Sequence, residues 1–186
     1  MHEQLSALRA EFDAARRHLH ELAAAVPDDT WTHRPAPEHW SIGECVAHLN
    51  ITAAEYEPLV ARALADARRL GGTAPVRYRR DLIGWLLWRT MGPPVRFKMK
   101  TTAAFVPSGS APKPEALAGF DRWQDAQVRW VEACDGLPID KVKLTSPFSA
   151  RVRYNLFACL TILPRHQERH IWQGWQAARL IGTASR

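Results

Sequence analysis

Apolar residues recur at three- and four-residue steps through four stretches of the chain, and each stretch reads as an amphipathic helix. In the first, from Gln4 to Val26, Leu5, Leu8, Phe12, Ala15, Leu19, Leu22 and Ala23 mark one face before Pro27-Asp28-Asp29 ends the pattern. The second opens at Ser41 with Glu44 three residues on, the spacing of a capping box. It carries Ile42, Cys45, Val46, Leu49, Ala53, Tyr56, Leu59, Val60 and Leu64 to a stop at Gly71-Gly72, with Pro58 placed to bend it. The third runs from Pro114 to Cys134 on Leu117, Phe120, Trp123, Ala126, Val128, Trp130 and Val131, and Pro114 suits a first helical turn. The fourth spans Tyr154 to Ile181, and Pro164 inside it predicts a kink.

The connections carry information of their own. Pro35 and Pro37 forbid a regular helix between Trp31 and Trp40, and these two tryptophans are expected to cover the bundle end. Asp81 to Met91 is apolar but too short to cross a membrane, and Gly92-Pro93-Pro94 closes it. From Val95 to Pro114 the chain reads as an extended loop with Phe97, Met99, Phe105 and Val106 as contact points. A loop of that length in a compact domain commonly serves as a lid or substrate wall. No alternation of period two predicts a strand, and there is no internal repeat or low-complexity tract. The expected architecture is all-α: a single domain over residues 1–186, a four-helix bundle with a long insertion, about residues 71–113, between its second and third helices.

Charge modifies this picture locally. The chain carries a formal +6, but between Arg62 and Lys100 ten Lys and Arg stand against two acids, so the remainder is slightly acidic. Such a segment can attract nucleic acid, an anionic membrane surface or an acidic substrate. Without aromatic interleaving or a helix-turn-helix pattern, nucleic acid is not the expected partner. Trp85 and Trp88 lie within the basic segment, where they could wall a pocket, touch a membrane surface or form a dimer contact. Cys45, Cys134 and Cys159 are few, odd in number and set in helical patterns, which predicts buried thiols rather than a disulfide framework. The N-terminus lacks the basic-then-apolar pattern of a signal peptide and no apolar run could span a bilayer, so a cytoplasmic location is expected.

The candidate chemistry lies in histidines. His166 and His170 are one helical turn apart and share a face, so both imidazoles can hold one cation. Eight histidines make a chance pair at that spacing common, and its force comes from His48, more than a hundred residues upstream near the apolar seam of the second helix. Three imidazoles with open positions are how a catalytic rather than a structural metal is held, and they suit zinc, nickel, iron or copper without selecting among them. Glu44 and Glu55 lie four residues before and seven after His48, where each could support the ligand or act as a general base.

Trp40-Ser41-Ile42-Gly43-Glu44-Cys45-Val46-Ala47-His48-Leu49 resembles the opening of the second helix in the DinB/YfiT-like superfamily. His166-Gln167-Glu168-Arg169-His170 with Gln173 resembles the paired-histidine motif of its fourth. The resemblance implies a metal-binding four-helix bundle whose divalent zinc, nickel or iron is held by His48, His166 and His170, in a family that includes thiol-dependent S-transferases and isomerases. The expected function is a metal-dependent hydrolase or thiol S-transferase acting on a small molecule, in a chain that could form homodimers. In the thiol version Arg77, Arg79 and Arg80 would receive the carboxylates of a low-molecular-weight thiol. The rival expectation is a non-catalytic metal-binding or stress-response binding protein.

Overall fold

The computed structural model describes residues 1–94 and 101–183; Phe97 and Met99, expected as loop contacts, lie outside them, as do Arg96, Lys98 and Lys100 of the basic segment. Four long helices form the bundle: α1 (Glu3–Ala25), α2 (Ile42–Leu70), α4 (Lys113–Glu132) and α5 (Leu156–Ile181). Between α2 and α4 the apolar segment of the insertion folds as a short helix, α3 (Leu82–Met91). In the bundle α2 packs against α4 and α5, and α1 packs against the same two, so α1 and α2 stand on one diagonal. No helix among the described residues is long and apolar enough to cross a membrane.

Helix ends follow the sequence chemistry. The Ser41 side chain accepts from the Glu44 amide while the Glu44 carboxylate accepts from the Ser41 amide, which is the expected capping box. Gly71 closes α2 at φ 69°, a conformation that penalises residues with a Cβ. α5 runs unbroken through Pro164, whose missing N–H leaves the Leu160 carbonyl without its usual helical donor one turn before the histidines.

One expectation is corrected. Tyr154 does not begin the fourth helix; it lies in strand β2 (Arg153–Asn155), paired antiparallel with β1 (Lys143–Thr145) in the register Leu144 to Tyr154. Strands of three residues are too short to show period-two alternation. The helix starts after Asn155, whose side chain accepts from the Ala158 amide at 2.8 Å and whose amide group donates to the carbonyls of Arg79 and Asp140. One residue thus caps α5 and anchors two connections.

The buried apolar residues divide into two clusters. One contains Leu5, Leu8 and Phe12 with Val60, Leu64, Val131 and Leu160; the other contains Leu19, Leu22 and Trp31 with Ile42, Val46, Phe120 and Ile171. On α2, α4 and α5 buried polar residues lie at the junction of the two: His48 and Thr52, Gln124 and Gln127, and His166, Gln167 and His170. A polar layer therefore crosses the core. Gln124 and Gln167 exchange amide hydrogen bonds at 3.1 and 2.9 Å, Gln167 also donates to Gln127, and Gln124 donates to the Phe12 carbonyl of α1.

Fully satisfied amides in a low-dielectric core hold firmly, but orphaning one of them is costly. Gln167→Leu, which strands the amides of Gln124 and Gln127, should cost about 2–3 kcal/mol in urea unfolding. The double variant with Gln124→Leu should cost less than the sum of the two single ones. Strict additivity would show that the pair is not coupled.

Candidate metal centre

His48, His166 and His170 come together in the polar layer, with ligand atoms all within 4.8 Å of one another, and each is buried. α5 supplies two of them from consecutive turns and α2 the third, at the position the capping box phases inward. The ε nitrogens converge: His48 Nε2 stands 3.3 Å from His166 Nε2, which stands 3.1 Å from His170 Nε2.

The outer nitrogens decide what those atoms can do. His48 Nδ1 lies 2.8 Å from the Phe105 carbonyl, and a carbonyl only accepts, so Nδ1 carries the proton and Nε2 presents a lone pair. With His48 fixed as acceptor, a single proton on His166 Nε2 can satisfy one of its two neighbours and not the other. His170 Nδ1 is buried with no hydrogen-bond partner, and so is the Gln173 side-chain oxygen one turn on. A divalent cation among the ε nitrogens answers all three lone pairs and leaves His170 Nδ1 protonated, able to donate towards that oxygen. The residues fit the metal.

Electrostatics agree. Burial pushes the imidazolium form of His166 and His170 well below the ordinary histidine range, and the neighbouring histidines and Arg169 add to the effect. Burial also lowers His48, opposed by its bond to Phe105. All three are therefore neutral ligands at neutral pH.

Aromatic rings enclose the triad. Trp40 stacks on His170 with ring centroids 5.9 Å apart and leans on His48 at 5.1 Å. Phe105 and Phe148 stack on each other at 4.0 Å, and Phe148 also stands 6.2 Å from His166. The insertion thus supplies both a ring over the site and the carbonyl that orients a ligand. Phe105 was legible as a contact point; Phe148 was not, because a lone phenylalanine in a turn carries no signal of which helix it will meet. The same holds for Gln124 and Gln127, which sit in an otherwise ordinary amphipathic pattern.

The other expected site residues stand apart from this cluster. Neither Glu44 nor Glu55 joins the ligand group. Glu44 is committed to the Ser41 cap and to Arg34, whose Nε reaches its two oxygens at 3.0 and 2.8 Å while a terminal nitrogen makes a further short contact. These hydrogen bonds hold its carboxyl below the usual range against the opposing effect of burial. Glu44→Ala should cost about 1–2 kcal/mol in chemical denaturation, and Glu44→Gln, which keeps an acceptor for the cap, should recover most of it. Glu55 is solvent-exposed.

Arg77 and Arg79 are exposed, whereas Arg80 turns inward. Its Nε donates to the Thr161 hydroxyl at 2.8 Å, and its guanidinium lies 4.1 Å from the Trp88 ring, with Arg165 on Trp88 at 4.4 Å. Trp88 is therefore a packing residue between two cations. The three cysteines are buried and free, with Cys45 and Cys134 pushed up to about 12 by burial, so they are inert thiols.

Neither a curated protein nor a solved structure matches the chain. A family model does: that of the DinB superfamily, over residues 11–173, a span that includes α2 and α4, most of α1 and α5, and every histidine of the triad. With bundle, insertion and three-histidine cluster in place, the chain belongs to the DinB superfamily.

Proposed function

We infer that the protein is a metal-dependent enzyme of hydrolase or thiol S-transferase type, acting on a small molecule at a zinc, nickel or iron ion held by His48, His166 and His170. The observation that carries this reading is the convergence of three ε nitrogens with the His48 proton pinned on the far side of its ring by the Phe105 carbonyl. A divalent metal bound there supplies Lewis acidity, which lowers the pKa of a water or thiol into the neutral range. The protein's part is to keep the imidazoles neutral, fix their orientation and keep bulk water out. Trp40, Phe105 and Phe148 do the last of these, and their rings favour a substrate with an apolar portion next to the reacting group.

The metal-loaded protein, screened with low-molecular-weight thiols against an electrophilic acceptor and in parallel against esters and amides, distinguishes the two branches. His48→Ala should abolish turnover in whichever branch is active. Metal retention without turnover in either series would favour the non-catalytic binding reading.

A further inference from the structure

α3 has two apolar faces, and the fold uses one of them. Gly84, Leu87, Trp88 and Met91 turn inward, and the fit is close enough that a Cβ at Gly84 would stand 2.3 Å from that of Ala158 on α5. On the opposite face Leu82 is 79% exposed, Leu86 55%, Trp85 49% and Ile83 44%. These four residues form a contiguous patch on a helix that its inner face holds rigidly against the bundle.

Exposed arginines flank that patch: Arg77 and Arg79 in the segment leading into α3, and Arg89 in its last turn. The acid at the head of the helix, Asp81, caps the Gly84 amide and pairs with Lys143 at 3.2 Å, so it does not offset them. A second copy of the chain docked face to face would set these arginines against their own mates. An anionic surface answers both features together, since apolar side chains enter the interfacial region while arginines meet lipid headgroups. We propose that the outer face of α3 docks on an anionic lipid bilayer, with Leu82, Ile83, Trp85 and Leu86 inserted at the headgroup boundary and Arg77, Arg79 and Arg89 on the phosphates.

Co-sedimentation of the full chain with vesicles of phosphatidylcholine alone, or mixed with phosphatidylserine, tests this directly. Binding should favour the phosphatidylserine vesicles and weaken as salt is raised. Leu86→Gln with Trp85→Gln should weaken it roughly tenfold or more. Arg77→Ala, Arg79→Ala and Arg89→Ala should each weaken it about fivefold, on the order of a hundredfold together. These positions are exposed, so folding is checked simply by unchanged circular dichroism. The proposal is overturned if the wild type does not sediment with anionic vesicles at low salt, if neutral and anionic vesicles bind it equally, or if the apolar variants bind as well as wild type. It is equally overturned if sedimentation equilibrium shows a dimer that Leu86→Gln dissolves, because a second copy would then be the occupant.

Discussion

Protein stripped with a chelator and resupplied with zinc, nickel or iron should retain about one equivalent of metal, and His166→Ala or His170→Ala should retain essentially none. Losing an outer-shell partner of a metal ligand costs about 10–100-fold in affinity, so losing one of three ligands should exceed a hundredfold. The same metal should raise the resistance of the wild type to urea by about 2.7 kcal/mol at a free concentration a hundredfold above Kd, with no effect on either variant. Equal metal content in wild type and variants, measured by elemental analysis, would remove the basis for the proposed chemistry. The three converging ε nitrogens have no satisfactory arrangement of protons among themselves, and a cation resolves it.

The metal-free protein should also be unusually sensitive to acid. The folded-state pKa of each triad histidine is lowered, principally by burial, so the folded state binds fewer protons than the unfolded chain below the ordinary histidine value of 6.5. Stability is then fully present above pH 6.5, falls as pH drops through it, and goes on falling until the depressed folded values are passed. The fall is steepest where the unfolded histidines are protonated and the folded ones are not, and His48, less strongly lowered, leaves that window before His166 and His170 as the pH drops. Loss of the helical circular dichroism signal on titrating the chelated protein downward from neutral pH checks this, and bound metal should move the midpoint to lower pH. A flat profile between neutral pH and the carboxylate range would mean that the imidazoles are not shielded from water.

The fold was legible where its signals are local. Leu5, Leu8, Phe12, Ala15, Leu19 and Leu22 announce α1 by spacing alone, and all are buried as that spacing requires. Ser41 and Glu44 mark the start of α2 because a capping box is made by residues three apart. His166 and His170 are a pair on one helix, and His48 falls on a helix whose phase its neighbours set. What escaped the sequence depends on partners far along the chain. Tyr154 belongs to a strand because it pairs with Leu144, and the side chain of Asn155 caps α5 while tying down Arg79 and Asp140. Phe148 reaches the site from a turn, and Gln124 becomes part of the core because Gln167 meets it 43 positions later. The outer face of α3 shows the same limit: its apolar run is plain in the sequence, but the division between an inner and an outer apolar side follows only from how closely Gly84 approaches Ala158.

The polar layer has a consequence for how the helices are indexed along their axes. Leucine and isoleucine pack almost as well after a helix slides by one turn, about 5.4 Å, since the ridges fall into the next grooves. Such a slip of α5 would carry one histidine into the other's place and leave only one facing His48. It would also break both amide bonds between Gln124 and Gln167, together with that from Gln167 to Gln127, and leave the buried Gln167 amide without those partners. The glutamines therefore act as a vernier for the bundle, making the one alignment that assembles three imidazoles also the one in which Gln124 and Gln167 are paired.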